Sequence, residues 1–260
     1  MKASIHDRIL EAIRLANGGD MDAAGKIFSA ITDDELVGDE IKVDYAHLCL
    51  RFGNTGPAIE LYSQVLKNHP DNAVLMGFIA KAYLQAGKYQ DAVAVLNRAI
   101  TLSPGNVNLL VTLSAALIHL EKYEEANGHL LQAVTLEPDN AAIHANLAIT
   151  LSRLGEYDEA LSHAEKSLQL NPANTHTYHV AGNCLIELGR FKEAEQYLLK
   201  LIGLDKLYAA AYSALARVKR FTENDADFIA GVEELLANGL RDNGRLHVHF
   251  PPAGYRLSRV

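Results

Sequence analysis

Apolar residues recur three and four positions apart through most of the chain, as in Ile79-Ala80-Lys81-Ala82-Tyr83-Leu84. That rhythm matches the 3.6-residue turn of an amphipathic helix and not the two-residue alternation of a strand. The helical stretches are short, and they are punctuated at a fixed interval. Gly19, Gly53, Gly87, Gly155 and Gly189 fall on a series of step 34, with Glu121 in its one gap. Ala24, Ala58, Ala92, Ala126, Ala160 and Ala194 keep the same step without exception. Asn72, Asn106, Asn140 and Asn174 keep it too, each two residues after a proline (Pro70, Pro104, Pro138, Pro172). A fourth series holds only small residues: Ala12, Ala46, Ala80, Ser114, Ala148, Gly182 and Ala216. Four series on one period identify an internal repeat.

Each series answers a physical need. A helix that ends in the left-handed conformation costs Gly nothing, so Gly87 and its equivalents are read as stops. A second helix follows, for example Tyr89 to Leu102, and Pro104 ends it. The Asn two residues later is placed to accept a hydrogen bond from an orphan N–H at the start of the next helix. Small residues in both helices let the pair approach closely. Tyr89, Tyr123, Tyr157 and Phe191, two residues after the glycine position, are expected to fill the space near the turn.

With these offsets of Gly, aromatic, Ala and Pro, the 34-residue unit resembles the tetratricopeptide repeat family. Residues 73–106, 107–140 and 141–174 carry the pattern best, and 5–38, 39–72 and 175–208 carry it with losses. The aromatic common at the fourth position is replaced by Met76, Leu110 and His144, and returns as Tyr178 and Tyr212. The resemblance implies an all-α, right-handed superhelix of six helix pairs with first helices lining a concave groove. It further implies one continuous core, because each unit is buried only by its neighbours. The solenoid is expected over 1–240, with a partial seventh unit at 209–240, a capping helix from Asp227 to about Asn238, and an irregular tail at 241–260.

A second resemblance concerns the C-terminal region. Leu215-Ala216-Arg217-Val218-Lys219-Arg220-Phe221-Thr222, Val232-Glu233-Glu234-Leu235-Leu236 and Arg245-Leu246-His247-Val248-His249-Phe250 are similar to the region joining the repeats to the catalytic domain in bacterial repeat-containing sulfotransferases. It implies the recognition portion of such an enzyme, without its catalytic domain. Pro251-Pro252 and the residues after it depart from that pattern.

Composition narrows the function. The chain has 260 residues and is 49% hydrophobic, enough to bury a sizeable core. Its 24 Lys and Arg against 32 Asp and Glu argue against nucleic acid as a partner, which would need a concentrated positive surface. The basic excess is local: 206–260 carries 8 positive and 6 negative residues, whereas 1–205 carries 16 and 26. No stretch reads as a membrane span or signal peptide, so a cytoplasmic protein is expected. Two cysteines, Cys49 and Cys184, exclude a disulfide framework and read as buried packing residues.

No phosphate-binding loop, dinucleotide fingerprint or nucleophile elbow is present, so no enzyme activity and no cofactor are expected. His176 and His179 lie three apart with His144 one repeat earlier and His163 between, but a metal would need further ligands. Carboxylate clusters such as Asp33-Asp34-Glu35 and Glu124-Glu125 suit helix termini.

The family's geometry would place positions two, five, six, nine, twelve and thirteen of each first helix in the groove. These are Val74, Gly77, Phe78, Lys81, Leu84 and Gln85; Asn108, Val111, Thr112, Ala115, Ile118 and His119; Ala142, Ala145, Asn146, Ile149, Ser152 and Arg153; and His176, His179, Val180, Asn183, Ile186 and Glu187. Candidate partner contacts are Lys81, Asn108, Val111, Ala115, Asn146, Ile149, Arg153, His179, Asn183 and, in the seventh first helix, Arg217. For Val111, Ala115 and Ile149, packing into the core weighs nearly as much. The two-cation clamp of chaperone-binding members is not matched, since Val43, Gly77 and Val111 stand at its offsets; of the sixth-position Asn series of sugar-transferase relatives only Asn146 is present. The expected function is a non-catalytic adaptor that binds a protein or peptide in the groove, with self-association through the repeat ends or tail as a further possibility.

Overall fold

The structure, a computed structural model, describes residues 5–32 and 38–219. The described residues form thirteen α-helices and no strands. In chain order these are α1 (Ile5–Asn17), α2 (Met21–Thr32), α3 (Asp39–Arg51), α4 (Thr55–Asn68), α5 (Ala73–Gln85), α6 (Tyr89–Leu102), α7 (Val107–His119), α8 (Tyr123–Leu136), α9 (Ala141–Leu154), α10 (Tyr157–Leu170), α11 (Thr175–Glu187), α12 (Phe191–Leu204) and α13 (Ala209–Val218). The chain divides into two compact units, Met1–Leu136 and Glu137–Val260. None of the described helices is long and apolar enough to cross a membrane.

Each unit is a stack of helix pairs, the architecture of an α-solenoid. In the first, α1 packs on α2, α3 on α4, α5 on α6 and α7 on α8, and each pair after the first also leans on the pair before it. In the second, α9 packs on α10, α11 on α12, and α13 on α12. First helices also touch first helices: α5 meets α7 in one unit, and α11 meets α9 and α13 in the other.

The punctuation residues explain why the pairs form. Gly19, Gly53, Gly87, Gly155 and Gly189 all have positive φ, between 71° and 89°. After α5, the Gly87 N–H donates to the Leu84 carbonyl and the Lys88 N–H to Tyr83 (3.0 and 2.8 Å), which uses up carbonyls the helix leaves orphaned. Glu121 performs the same turn at φ 58° and is the one non-glycine residue with positive φ among those described. At the other end, the side chains of Asn72, Asn106, Asn140 and Asn174 accept from backbone N–H groups two or three residues ahead, at 3.0–3.4 Å. Those bonds cap α5, α7, α9 and α11.

Small residues set the spacing within each pair. Every alanine of the 24-to-194 series is fully buried, as are Ala12, Ala46, Ala80 and Ala148. Ser114 keeps the same position and shares its hydroxyl proton between the Leu110 carbonyl (2.8 Å) and the Ala126 carbonyl of α8 (3.3 Å). At Gly182 a Cβ would meet Leu198 Cδ2 at 2.8 Å, so the crossing of α11 and α12 has no room for a methyl. Ala216, in the last described helix, is only half-buried.

The two cores differ in filling. The first contains Phe28 stacked on Tyr45 (4.0 Å) beside Tyr62 and Cys49, with Met76, Leu96, Leu113 and Leu130 further along. Burial pushes the Tyr45 hydroxyl up to about 12, and the Tyr62 hydroxyl also upward. The second is mainly aliphatic, with Ile143, Leu147, Leu185, Leu198 and Leu201 buried beside the rings of His144 and Tyr212. Cys49 and Cys184 are buried free thiols.

Some expectations meet a different outcome. Tyr89, Tyr123 and Tyr157 are half-buried near their turns, but Phe191 is 52% exposed and does not fill the space assigned to it. Asp33-Asp34-Glu35, the helix expected at 227–238 and the tail at 241–260 lie outside the described residues.

Candidate functional site

The open surface of the first helices follows from register. Positions two, nine and thirteen are exposed or half-buried in α5, α7, α9 and α11. Positions five and six alternate: where five is small and buried (Gly77, Ala145), six is half-exposed (Phe78, Asn146); where five is larger and half-exposed (Val111, His179), six is buried (Thr112, Val180). Gly77 shows the reason for its burial, since a Cβ there would meet Leu109 Cδ2 of α7 at 2.9 Å. Gly77, Thr112, Ala145, Val180 and Ile186 are therefore buried packing residues and not open lining.

In the first unit the face carried by α5 and α7 is chiefly apolar. Val74 is 56% exposed, and Phe78, Leu84, Val111, Ala115 and Ile118 are half-exposed. Lys81 and Asn108 are exposed and supply its polar edge. His47 of α3 stands edge-on to Phe78 at 4.6 Å, and Gln85 Nε2 donates to the Leu50 carbonyl (3.0 Å). His119 stacks flat on Tyr89 at 4.4 Å.

In the second unit the equivalent face is polar. Asn146, Ile149, His179 and Asn183 are half-exposed, and Arg153, His176 and Arg217 are exposed. Asn183 Nδ2 donates to His179 Nε2 (3.1 Å), which leaves the imidazole proton on Nδ1. His176 Nδ1 lies 3.3 Å from the Tyr208 hydroxyl, and the His179 ring is 5.4 Å from the Tyr208 ring. Tyr208 immediately precedes α13 and was not singled out by sequence; its tie to His176 spans 32 residues. Burial, then His176 and Arg153, pushes the His179 imidazole down to about 4. Burial and then Arg153 lower His176 as well, although that ring keeps an exposed edge. Arg217 pairs with Glu187 at 3.4 Å, whereas Arg153 makes no ion pair with any described residue.

Two further features of the second unit lie off this face. His144 Nε2 donates to the Pro138 carbonyl (2.8 Å), so its Nδ1 accepts from His163 Nδ1 at 2.9 Å. Burial first, and His144 second, lower the His163 imidazole. His144 and His163 thus satisfy each other between α9 and α10, apart from the His176–His179 pair. Between α10 and α12 is an open pocket of about 250 Å³ lined by Glu165, Leu168, Gln169, Tyr178, Tyr197 and Lys200. The Tyr197 hydroxyl there donates to Glu165 Oε1 (3.2 Å).

Comparison with known proteins bears on fold. A search of curated proteins returns no match. Among solved structures, a crystal structure of MamA protein is 24% identical, with a TM-score of 0.56 over 66% of this chain and 93% of that one. MamA (41-end) from Desulfovibrio magneticus RS-1 is 18% identical, with a TM-score of 0.59 over 65% and 96%. A tetratricopeptide repeat protein from Parabacteroides merdae ATCC 43184 is 16% identical, with a TM-score of 0.70 over 90% and 93%. At these identities the likeness is one of fold. The sulfotransferase resemblance at 206–250 gains no support from these matches, and its residues from 220 onward lie outside the described region. Family models described as Tetratricopeptide repeat match residues 83–145 and 151–218, 46–107, and 129–162. With half the chain matched by one such model and the glycine turns, asparagine caps and buried alanines all on its period, the chain belongs to the tetratricopeptide repeat family.

Proposed function

We propose that the protein is a non-catalytic adaptor whose first-helix faces hold a segment of another polypeptide. Tetratricopeptide repeat folds generally serve as protein–protein interaction scaffolds. The observation that carries the reading is the persistent exposure of positions two, nine and thirteen along successive first helices, while their neighbours are buried. A row of side chains repeated on adjacent parallel elements suits an extended or helical ligand, which presents groups at regular intervals. Within the first unit, Phe78, Val111, Ala115 and Ile118 would bury apolar side chains of a ligand. Within the second, Asn146 and Asn183 would bond a ligand's peptide groups and fix its register.

Arg153→Glu combined with Asn183→Ala tests this. Both side chains are at least half-exposed, so the double variant should unfold within about 2 °C of the parent. Pull-down of bound protein from a native extract should fall at least several-fold. Unchanged pull-down would place the partner elsewhere. Self-association through the repeat ends is a separate proposal, and light scattering over a concentration series tests it, with a constant monomer mass excluding it.

A further inference from the structure

Off the first-helix face, the pocket between α10 and α12 holds groups that the packing of the repeats leaves unused. Leu168 of α10 is buried in its wall. The half-buried rings of Tyr178 from α11 and Tyr197 from α12 also line it, 6.0 Å apart and tilted by 54°. Glu165 of α10 stands beside them and accepts from the Tyr197 hydroxyl at 3.2 Å. Asp139, Glu187 and Glu193 of the same unit each have a basic partner, but Glu165 pairs with no Lys or Arg among the described residues. Lys200, the other charged residue of the pocket, pairs with no described carboxylate, and its Nζ lies over the Tyr197 ring, 6.0 Å from the centroid. We propose that this pocket binds a small organic cation, a methylated ammonium group, between Tyr178, Tyr197 and Glu165. The site is separate from the first-helix face and does not depend on what that face holds.

Each feature selects this chemistry. The face of a tyrosine ring carries the negative pole of its quadrupole and attracts a cation within about 6 Å of the centroid. The Lys200 ammonium, at the outer end of that range, shows that one face of Tyr197 admits a positive charge. Glu165 adds the counter-charge, and the Tyr197 hydroxyl holds the carboxylate in place. Burial first, and the Glu165 charge second, push that hydroxyl up to about 12, so it stays protonated and remains the donor.

Size and hydration narrow the ligand further. A volume of about 250 Å³ lies below the roughly 300–1,000 Å³ of sites for drug-sized molecules, so a headgroup fits and a nucleotide does not. A primary ammonium brings three N–H donors that aromatic walls leave unsatisfied. A trimethylated nitrogen brings none, and sets apolar methyl groups against Leu168 and the rings. Lys200 is thus a poorly matched internal competitor, which a methylated cation displaces.

Such a group arrives either as a free headgroup or as a trimethylated lysine side chain of a protein. The test titrates the full-length protein with choline, with N-acetyl-trimethyllysine amide, and with dimethylbutanol, the neutral carbon isostere of choline, following the Tyr178 and Tyr197 ring signals by NMR. At least one cation should shift both rings saturably, with dimethylbutanol at least tenfold weaker. Tighter binding of choline assigns the free headgroup, and tighter binding of the lysine derivative assigns the protein side chain. Glu165 is exposed, so Glu165→Gln keeps the fold and should weaken binding about three- to tenfold. Tyr197→Leu should weaken it about tenfold, and Lys200→Gln should tighten it roughly threefold by removing the competitor. Equal binding of dimethylbutanol, no saturable shift with either cation, or undiminished binding by Glu165→Gln would overturn the proposal.

Discussion

The same register positions carry opposite chemistry in the two units. In 1–136 the open first-helix positions are Val74, Phe78, Val111, Ala115 and Ile118, with Lys81 and Asn108 at the edge. In 137–260 they are Asn146, Ile149, Arg153, His176, His179 and Asn183. Beneath these faces the two units are alike, with the same buried alanines, the same left-handed turns and the same asparagine caps. The repeat therefore fixes the buried side and leaves the open side free to differ.

The comparison breaks first at the core. Leu96 of α6 and Leu198 of α12 are fully buried at the same repeat position, so Leu96→Ala and Leu198→Ala should each cost about 3 kcal/mol in denaturant unfolding. A cost near zero in either unit would show that its stack does not depend on this packing. The next effect is confined to the second unit and to pH. His179 titrates near 4 in the folded chain against about 6.5 unfolded, and His163 moves in the same direction. Between those values the unfolded state holds more protons, so stability is fully present above about 6.5 and is lost as pH falls toward 4. Lowering pH from 7 to 5 should cost the chain on the order of 1–2 kcal/mol, and His179→Phe should remove part of that slope. A flat profile through this range would contradict the neutral, desolvated imidazoles.

A smaller contrast separates two glycines. Gly182→Ala drives a methyl against Leu198 Cδ2 and Cγ, at 2.8 and 3.0 Å, and should cost roughly 1–3 kcal/mol. Gly77→Ala meets only the end of the Leu109 side chain, which can rotate, and should cost less. The smallest expected effect is a gain. Glu121 sits in the left-handed conformation that glycine takes at the equivalent turns, so Glu121→Gly should raise stability by about 0.5–1 kcal/mol. Thermal unfolding of these three variants ranks them, and a loss on Glu121→Gly would mean that its side chain holds the turn.

Much of this was legible because it depends on one residue at a time. A left-handed turn asks for glycine and an N-cap asks for asparagine, whatever the neighbours, so Gly87 and Asn72 announced their roles. The alternation of positions five and six was not legible. Whether Phe78 or Gly77 faces out depends on where Leu109 of the next first helix sits. For the same reason Val111, Ala115 and Ile149, balanced between core and surface on sequence, prove half-exposed. Tyr208 was missed because its contacts, His176 and His179, lie most of a repeat earlier. The spacing of His144 and His163 puts them on neighbouring helices, but their pairing through Nδ1 atoms depends on the position of the Pro138 carbonyl.

The central claim is that partner polypeptide lies along the first helices and not on the outer helices. Placing a photo-reactive benzoylphenylalanine at Ala115 or Ile149, and for comparison at the exposed Leu131 of α8 or Leu199 of α12, tests it directly. Adducts from 115 and 149, those from 149 being lost in Arg153→Glu with Asn183→Ala, with none from 131 and 199, are the predicted result. Adducts from 131 and 199 alone would contradict the account.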